Sequence, residues 1–198
     1  MRRLLAATLI TALACSGFGE RDRGTTTTHV AGSGPSPTTM PGERSEGPGC
    51  VEPIDTPEPQ GCTVGRISCG DEIQASTAGG PLRFGDDFYV YHFCTPQRHD
   101  YDDSPEVAYM LTVPGDKKAT ITVTSDCADL DVSAMSWDEP GSCPRAEGRR
   151  LNECEMRPKH DSVSVATVTH PQEYMVVVDG RKGSEGNFTL SVRCDDYR

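Results

Sequence analysis

Carboxylates are the side chains of this chain best placed to do chemistry. His99-Asp100-Tyr101-Asp102-Asp103-Ser104-Pro105-Glu106 carries four of them, Asp100, Asp102, Asp103 and Glu106, within eight residues just ahead of an apolar alternating run. Hard oxygen ligands at such density suit calcium, which takes six to eight of them. A calcium site on these four residues is therefore one expectation, and a set of solvated loop carboxylates is the plainer one. Asp126, Asp129 and Asp131 form a second acidic group. Neither group has the spacing or the glycine of an EF-hand.

The best-defined catalytic signatures are absent. The chain contains no G-x-S-x-G elbow, no H-E-x-x-H, no G-x(4)-G-K-[ST] and no C-x-x-C. Its five histidines, His29, His92, His99, His160 and His170, are scattered. Ser, His and Asp can meet in space from any positions, and no sequence motif nominates such a triad. The expectation is a protein that is not an enzyme, with a secreted hydrolase or hydrolase accessory of unrecognised site as the alternative.

Nine cysteines are the second chemical resource. The chain opens with Met1-Arg2-Arg3, an uncharged run from Leu4 to Ala14, then Cys15. That order reads as a signal peptide over 1–14, and Ala12-Leu13-Ala14-Cys15 resembles a lipobox, with Ala12 where Leu is usual. Setting Cys15 aside as a lipidated N-terminus leaves eight cysteines, Cys50, Cys62, Cys69, Cys94, Cys127, Cys143, Cys154 and Cys194, an even number for an exported chain. Their connectivity is open among 105 pairings. The expected set joins Cys50 to Cys62 around a small loop, Cys143 to Cys154 locally, Cys69 to Cys194 across first and last strands, and Cys94 to Cys127.

Behind these residues stands a chain of three parts. Residues 16–49 contain 22 Gly, Thr, Ser or Pro among 34 and cannot bury a core, so 15–61 reads as a disordered tether behind the lipidated end. The folded domain is placed at 62–198, its folded part starting near Ile67. There the pattern changes to short runs of period two: 72–76, 88–93, 107–113, 120–124, 130–134, 162–167, 174–178 and 188–192. The last two flank a Gly-rich turn and read as a hairpin. About eight half-buried strands and no helical periodicity predict an all-β, antiparallel, jelly-roll-like sandwich. Leu, Ile, Val and Phe make up only 24 of the 132 residues from Ile67 onward. Disulfides, at roughly 2 to 4 kcal/mol each, must therefore hold much of the fold.

Charge narrows the partners. The formal net charge is −11, and −13 once Arg2 and Arg3 leave with the signal, so nucleic acid is not expected. Trp137, the only tryptophan, is expected in the core, with a sugar-stacking platform as the alternative. Asn187-Phe188-Thr189 fits an N-glycosylation pattern of no expected use in a bacterial protein.

Ile67-Ser68-Cys69-Gly70, Ser104 to Tyr109, Cys143 and Cys154, and above all Glu173-Tyr174-Met175-Val176-Val177-Val178-Asp179-Gly180 followed by Gly186-Asn187-Phe188-Thr189-Leu190-Ser191-Val192 carry a resemblance. These segments, spanning Ile67 to Cys194, resemble the bacterial pre-peptidase C-terminal domain and its relatives in lipoproteins of myxobacterial type. The resemblance implies a jelly-roll-like sandwich that serves secreted hydrolases as an accessory, by binding substrate or aiding export. No hydrolase accompanies it here, which turns the expectation toward a free-standing module at the bacterial surface or outer membrane. Its expected partners are the membrane, through lipid, and a protein or glycan ligand. Some relatives bind calcium, but no ligand set is carried over.

Overall fold

The computed structural model describes residues 52–139 and 141–197. The signal segment, Cys15, Cys50 and most of the tether fall outside the described residues. No helix among those described is long and apolar enough to cross a membrane.

Among the described residues, nine strands form two sheets. They are β1 (Gly65–Ile67), β2 (Glu72–Ser76), β3 (Glu106–Val113), β4 (Lys117–Thr124), β5 (Leu130–Ser136), β6 (Cys154–Met156), β7 (Ser162–Ala166), β8 (Gln172–Gly180) and β9 (Asn187–Asp196). The first sheet has the order β1-β3-β8-β5-β6, the second β2-β9-β4-β7. All pairings are antiparallel except β1 with β3. The β8–β9 hairpin is split between the sheets, so the expected hairpin becomes a crossing from one layer to the other. The result is a β-sandwich, with two short strands, β1 and β6, beyond those expected.

Alternation explains which side chains fill the space between the sheets. Val107, Tyr109 and Leu111 of β3, Val132 and Ala134 of β5, and Val176 and Val178 of β8 meet Ile121, Val163, Leu190 and Val192 of the second sheet in one core. The opposite face of the first sheet is also buried, which half-buried strands do not predict. Residues of the loops around 82–104 and 137–156 cover it, with Phe84, Phe88, Tyr89, Tyr101, Trp137 and Met156 packed on Ala108, Met110, Met135, Met175 and Val177. In register across three strands, Met110, Met175 and Met135 form a fully buried row. Unbranched methionine fills the irregular gap under such a cover.

Residues 88–93 correct the sequence reading. They do not form a strand; Asp86–Tyr91 is a short helix, α1. Phe-Tyr-Val-Tyr alternates well enough for a strand, but Asp86 and Asp87 suit a helix N-terminus. Tertiary packing settles it: the helical turn sends Phe88 and Tyr89 together onto the sheet.

The disulfides also differ from expectation. Cys69–Cys194 is present, tying the segment before β2 to β9. Cys62 pairs with Cys143, not Cys50, and Cys94 pairs with Cys154, not Cys127. Both corrected bridges lie over the outer face of the first sheet, where the cover needs fastening. Sequence proximity favoured Cys143–Cys154, but each of those cysteines is met by a segment from the other end of the cover. Cys127 is disulfide-bonded too.

Candidate functional site

At one end of the covered face, the ladder brings three carboxyl groups into a row. Glu106 of β3 lies opposite Asp179 of β8, and Asp179 lies opposite Asp131 of β5. All three are buried, at 1%, 0% and 1% exposure. Like charges directly opposite one another oppose sheet formation, and burial penalises each charge further. Such a row needs partners.

The cover supplies one partner to each carboxyl. Tyr89 of α1 donates its hydroxyl to Asp179 Oδ2 at 2.7 Å, and Tyr101 donates to Asp131 Oδ2 at 2.6 Å. The Arg83 backbone N–H is shared by both Glu106 oxygens at 2.9 and 3.0 Å. Asp131 also accepts from the Lys159 backbone N–H at 2.9 Å, and its Oδ2 lies 3.3 Å from Arg181 Nε. The Arg181 guanidinium bridges onward to Asp129. Asp179 Oδ1 makes no hydrogen bond.

These surroundings move the titrations in one direction. Burial raises Asp179 well above the usual carboxylate range, with Glu106 and Asp131 across the ladder adding to the rise and the Tyr89 bond opposing it. Glu106 is pushed up to about 7 by burial, against the pull of the Arg83 contacts. Asp131 is raised by burial, held back by its Tyr101 and Lys159 bonds and by Arg181. Burial and their carboxylate partners raise both tyrosines as well, so they remain donors.

The expected calcium cluster is not assembled. Glu106 sits under the cover, Asp100 and Asp103 are exposed, and Asp102 Oδ1 accepts from the Asp86 N–H at 2.9 Å. Asp86 answers by accepting from the N–H groups of His99 (2.9 Å), Asp100 (3.1 Å) and Tyr101 (3.4 Å). The Asp102 and Asp86 carboxylates, each accepting from backbone N–H groups, thus build the loop that carries Tyr101. Among the described residues no three His, Cys, Asp or Glu side chains are grouped to hold a metal ion. Of the second acidic group, Asp126 is exposed, Asp129 pairs with Arg181, and Asp131 belongs to the buried row.

Glu106 has a second aspect: it also lines a cleft of about 610 Å³. One side is the arm 53–59, the other the segment Ala78–Arg83, and Val107 and Ala108 lie in its floor. The arm is fastened by side chains that act as strand neighbours. Asn187 accepts from the Ile54 N–H at 2.9 Å and donates to the Glu52 carbonyl at 2.8 Å. The Thr56 hydroxyl accepts from the Ser76 N–H at 2.9 Å and donates to the Ser76 carbonyl at 2.8 Å. At Gly80 an added Cβ would come within 2.5 Å of the Glu106 carbonyl oxygen, so the wall and β3 touch at backbone distance. No aromatic side chain lines the cleft.

The remaining candidates are structural. His92 is buried, with Nε2 2.8 Å from the Arg145 carbonyl and Nδ1 accepting from the Leu151 N–H at 3.3 Å. Among the described residues no histidine ring is hydrogen-bonded to a hydroxyl or a carboxylate. Trp137 is in the core, its indole N–H shared between the carbonyls of Glu139 (2.8 Å) and Ser142 (3.0 Å). Sequence reading missed Asp179, Tyr89 and the Arg83 N–H. The one signal for Asp179 was a charge following the apolar run 174–178 on a strand buried on both faces.

No family model matches the chain, and no curated protein sequence matches it significantly. Among solved structures it is similar to the pre-peptidase C-terminal domain of a Bacillus anthracis collagenase, with 15% identity and a TM-score of 0.38 over 65% of this chain and 93% of that one. It is also similar to PliG of Aeromonas hydrophila, a periplasmic inhibitor of g-type lysozyme, with 12% identity and a TM-score of 0.35 over 66% of this chain and 99% of that one.

Proposed function

We propose that this chain is a non-catalytic binding module of the bacterial cell envelope, lipid-anchored at Cys15, spaced by the part of the tether that precedes the arm 53–59, and engaging its ligand in the cleft under that arm. The cleft carries the reading: about 610 Å³ within the ordinary range of ligand sites, with a buried carboxyl in its wall. Its lining favours a protein segment over a glycan. Sugar rings are held by stacking on aromatic faces, and neither the cleft nor the buried Trp137 offers one. Backbone edges and small side chains suit an extended peptide. Its disulfide bonds support this reading, since such bonds persist in oxidising compartments outside the cytoplasm.

Parallel peptide and glycan arrays probed with the full chain test the ligand class; peptide binding is expected, and binding confined to glycans overturns it. Labelling with a palmitate analogue tests the anchor. Label is expected on the wild type and lost in Cys15→Ser, and label that survives the substitution removes the anchor from the account.

A further inference from the structure

The cover touches the carboxyl row at one point per strand: the Arg83 N–H on Glu106, Tyr89 on Asp179 and Tyr101 on Asp131. The segment before Arg83 is bound from the other side as well, since the Glu106 N–H donates to the Pro81 carbonyl at 3.0 Å. Glu106 thus fastens residues 81–83, one wall of the cleft, through both its backbone and its side chain. We propose that Glu106, Asp179 and Asp131 share protons as a single unit, and that the proton count of this unit sets how firmly the cover closes on the sheet and how rigid the cleft wall is.

The charges facing the row are few. Arg181 lies beside Asp131 and is also committed to Asp129; Arg83 lies near Glu106 with its Nη1 on the Cys62 carbonyl at 3.3 Å; Lys159 gives only its backbone N–H; Tyr89 and Tyr101 are neutral donors. Three ionised carboxylates in register would leave negative charge without a buried counter-ion. The row therefore holds protons that an exposed set of carboxyls would have released. Ionisation makes each oxygen a better acceptor for its cover bond, but burial outweighs this gain in all three groups, joined at Asp179 by repulsion from Glu106 and Asp131. Burial pushes Glu106 up to about 7, which brings proton loss from the row into the range an envelope protein meets. The groups titrate as a coupled set, so the response belongs to the row and not to one residue. Raising the pH is expected to loosen residues 80–104, and lowering it to tighten them.

Amide hydrogen exchange of the full chain at pH 5.5 and 8.0, corrected for the intrinsic exchange rate, reads the opening directly. Opening of residues 80–104 is expected to rise at least about tenfold at pH 8.0, with these residues staying less protected than β4 and β7 of the far sheet at both pH values. In Glu106→Gln, which keeps shape and removes a titration, the rise is expected to shrink to about threefold or less. Asp179→Asn serves in the same way if the first variant does not fold. Equal protection of the wild type at the two pH values overturns the proposal, as does a tenfold rise that persists in the folded variant. The functional consequence rests on the cleft reading, and the two fail separately. The exchange pattern without any ligand leaves the proton unit standing, whereas a cleft ligand with pH-independent exchange removes only the proton unit.

Discussion

Tyr101 gives its hydroxyl hydrogen to Asp131 at 2.6 Å, and both side chains are sealed from solvent by the loop that Asp86 and Asp102 build. The pair joins a loop 30 residues away in sequence to the start of β5 in the first sheet. It also accounts for the acidic run that reads, in sequence, as a metal site.

Tyr101→Phe keeps the ring and removes the donor. A hydrogen bond to a charged group contributes about 1.5 to 3 kcal/mol, and the carboxyl stays buried with only its Lys159 N–H and Arg181 contacts. The variant is expected to lose about 2 kcal/mol in urea unfolding, with Tyr89→Phe losing a comparable amount at Asp179. Unchanged unfolding midpoints for both would remove the tyrosines from the account of what holds the cover.

Stability should fall as pH rises through neutrality. Glu106 is raised from 4.5 to about 7, so between these values the folded chain keeps a proton that the unfolded chain has lost. Its contribution is complete below about pH 4.5 and gone above about pH 7, at most about 3 kcal/mol from this group. Urea titrations at pH 5 and pH 8 are expected to give the lower midpoint at pH 8, and the gap should narrow in Glu106→Gln.

The Cys94–Cys154 bridge closes a loop with a sequence separation of 60. By the loop-entropy relation its loss costs about 4 kcal/mol. Cys94→Ala with Cys154→Ala is expected to lower the melting temperature by more than 10 °C and to expose the outer face of the first sheet to proteolysis before the second sheet. Non-reducing peptide mapping of the wild type should recover Cys62–Cys143, Cys69–Cys194 and Cys94–Cys154 as separate linked pairs.

Gly180 follows Asp179 at the end of β8, where an added Cβ would lie 1.8 Å from the Ser184 carbonyl oxygen. Backbone cannot yield that space without moving the β8–β9 turn. Gly180→Ala is expected to cost about 2 kcal/mol or more, measured by thermal unfolding. A neutral result would mean that the turn carries no constraint.

The sandwich was legible because period-two runs mark strands whatever covers them. Seven of the expected strands stand where the alternation put them, and the rest was hidden for physical reasons. Phe88 to Phe93 alternates like a strand, yet its conformation is decided by Asp86 and Asp102 bonds made across a loop. The double burial of β3, β5 and β8 depends on a cover whose own sequence shows no periodicity. Glu106 was singled out for its neighbours in sequence, whereas its real neighbours, Asp179 and Asp131, come from register between strands far apart in the chain. The partners of Cys62 and Cys94 escaped for the same reason, whereas Cys69–Cys194 stands as expected.

The central claim is that the cleft between the arm and residues 78–83 binds a protein segment. Ala78 lines that cleft and is partly exposed, so Ala78→Trp fills the space from its edge without entering the core. Calorimetric titration of the full chain and of this variant, with an extended peptide taken from the array, measures the claim directly. A loss of at least tenfold in affinity in the variant, at unchanged melting temperature, is the predicted result. Equal affinity in the two proteins would contradict it.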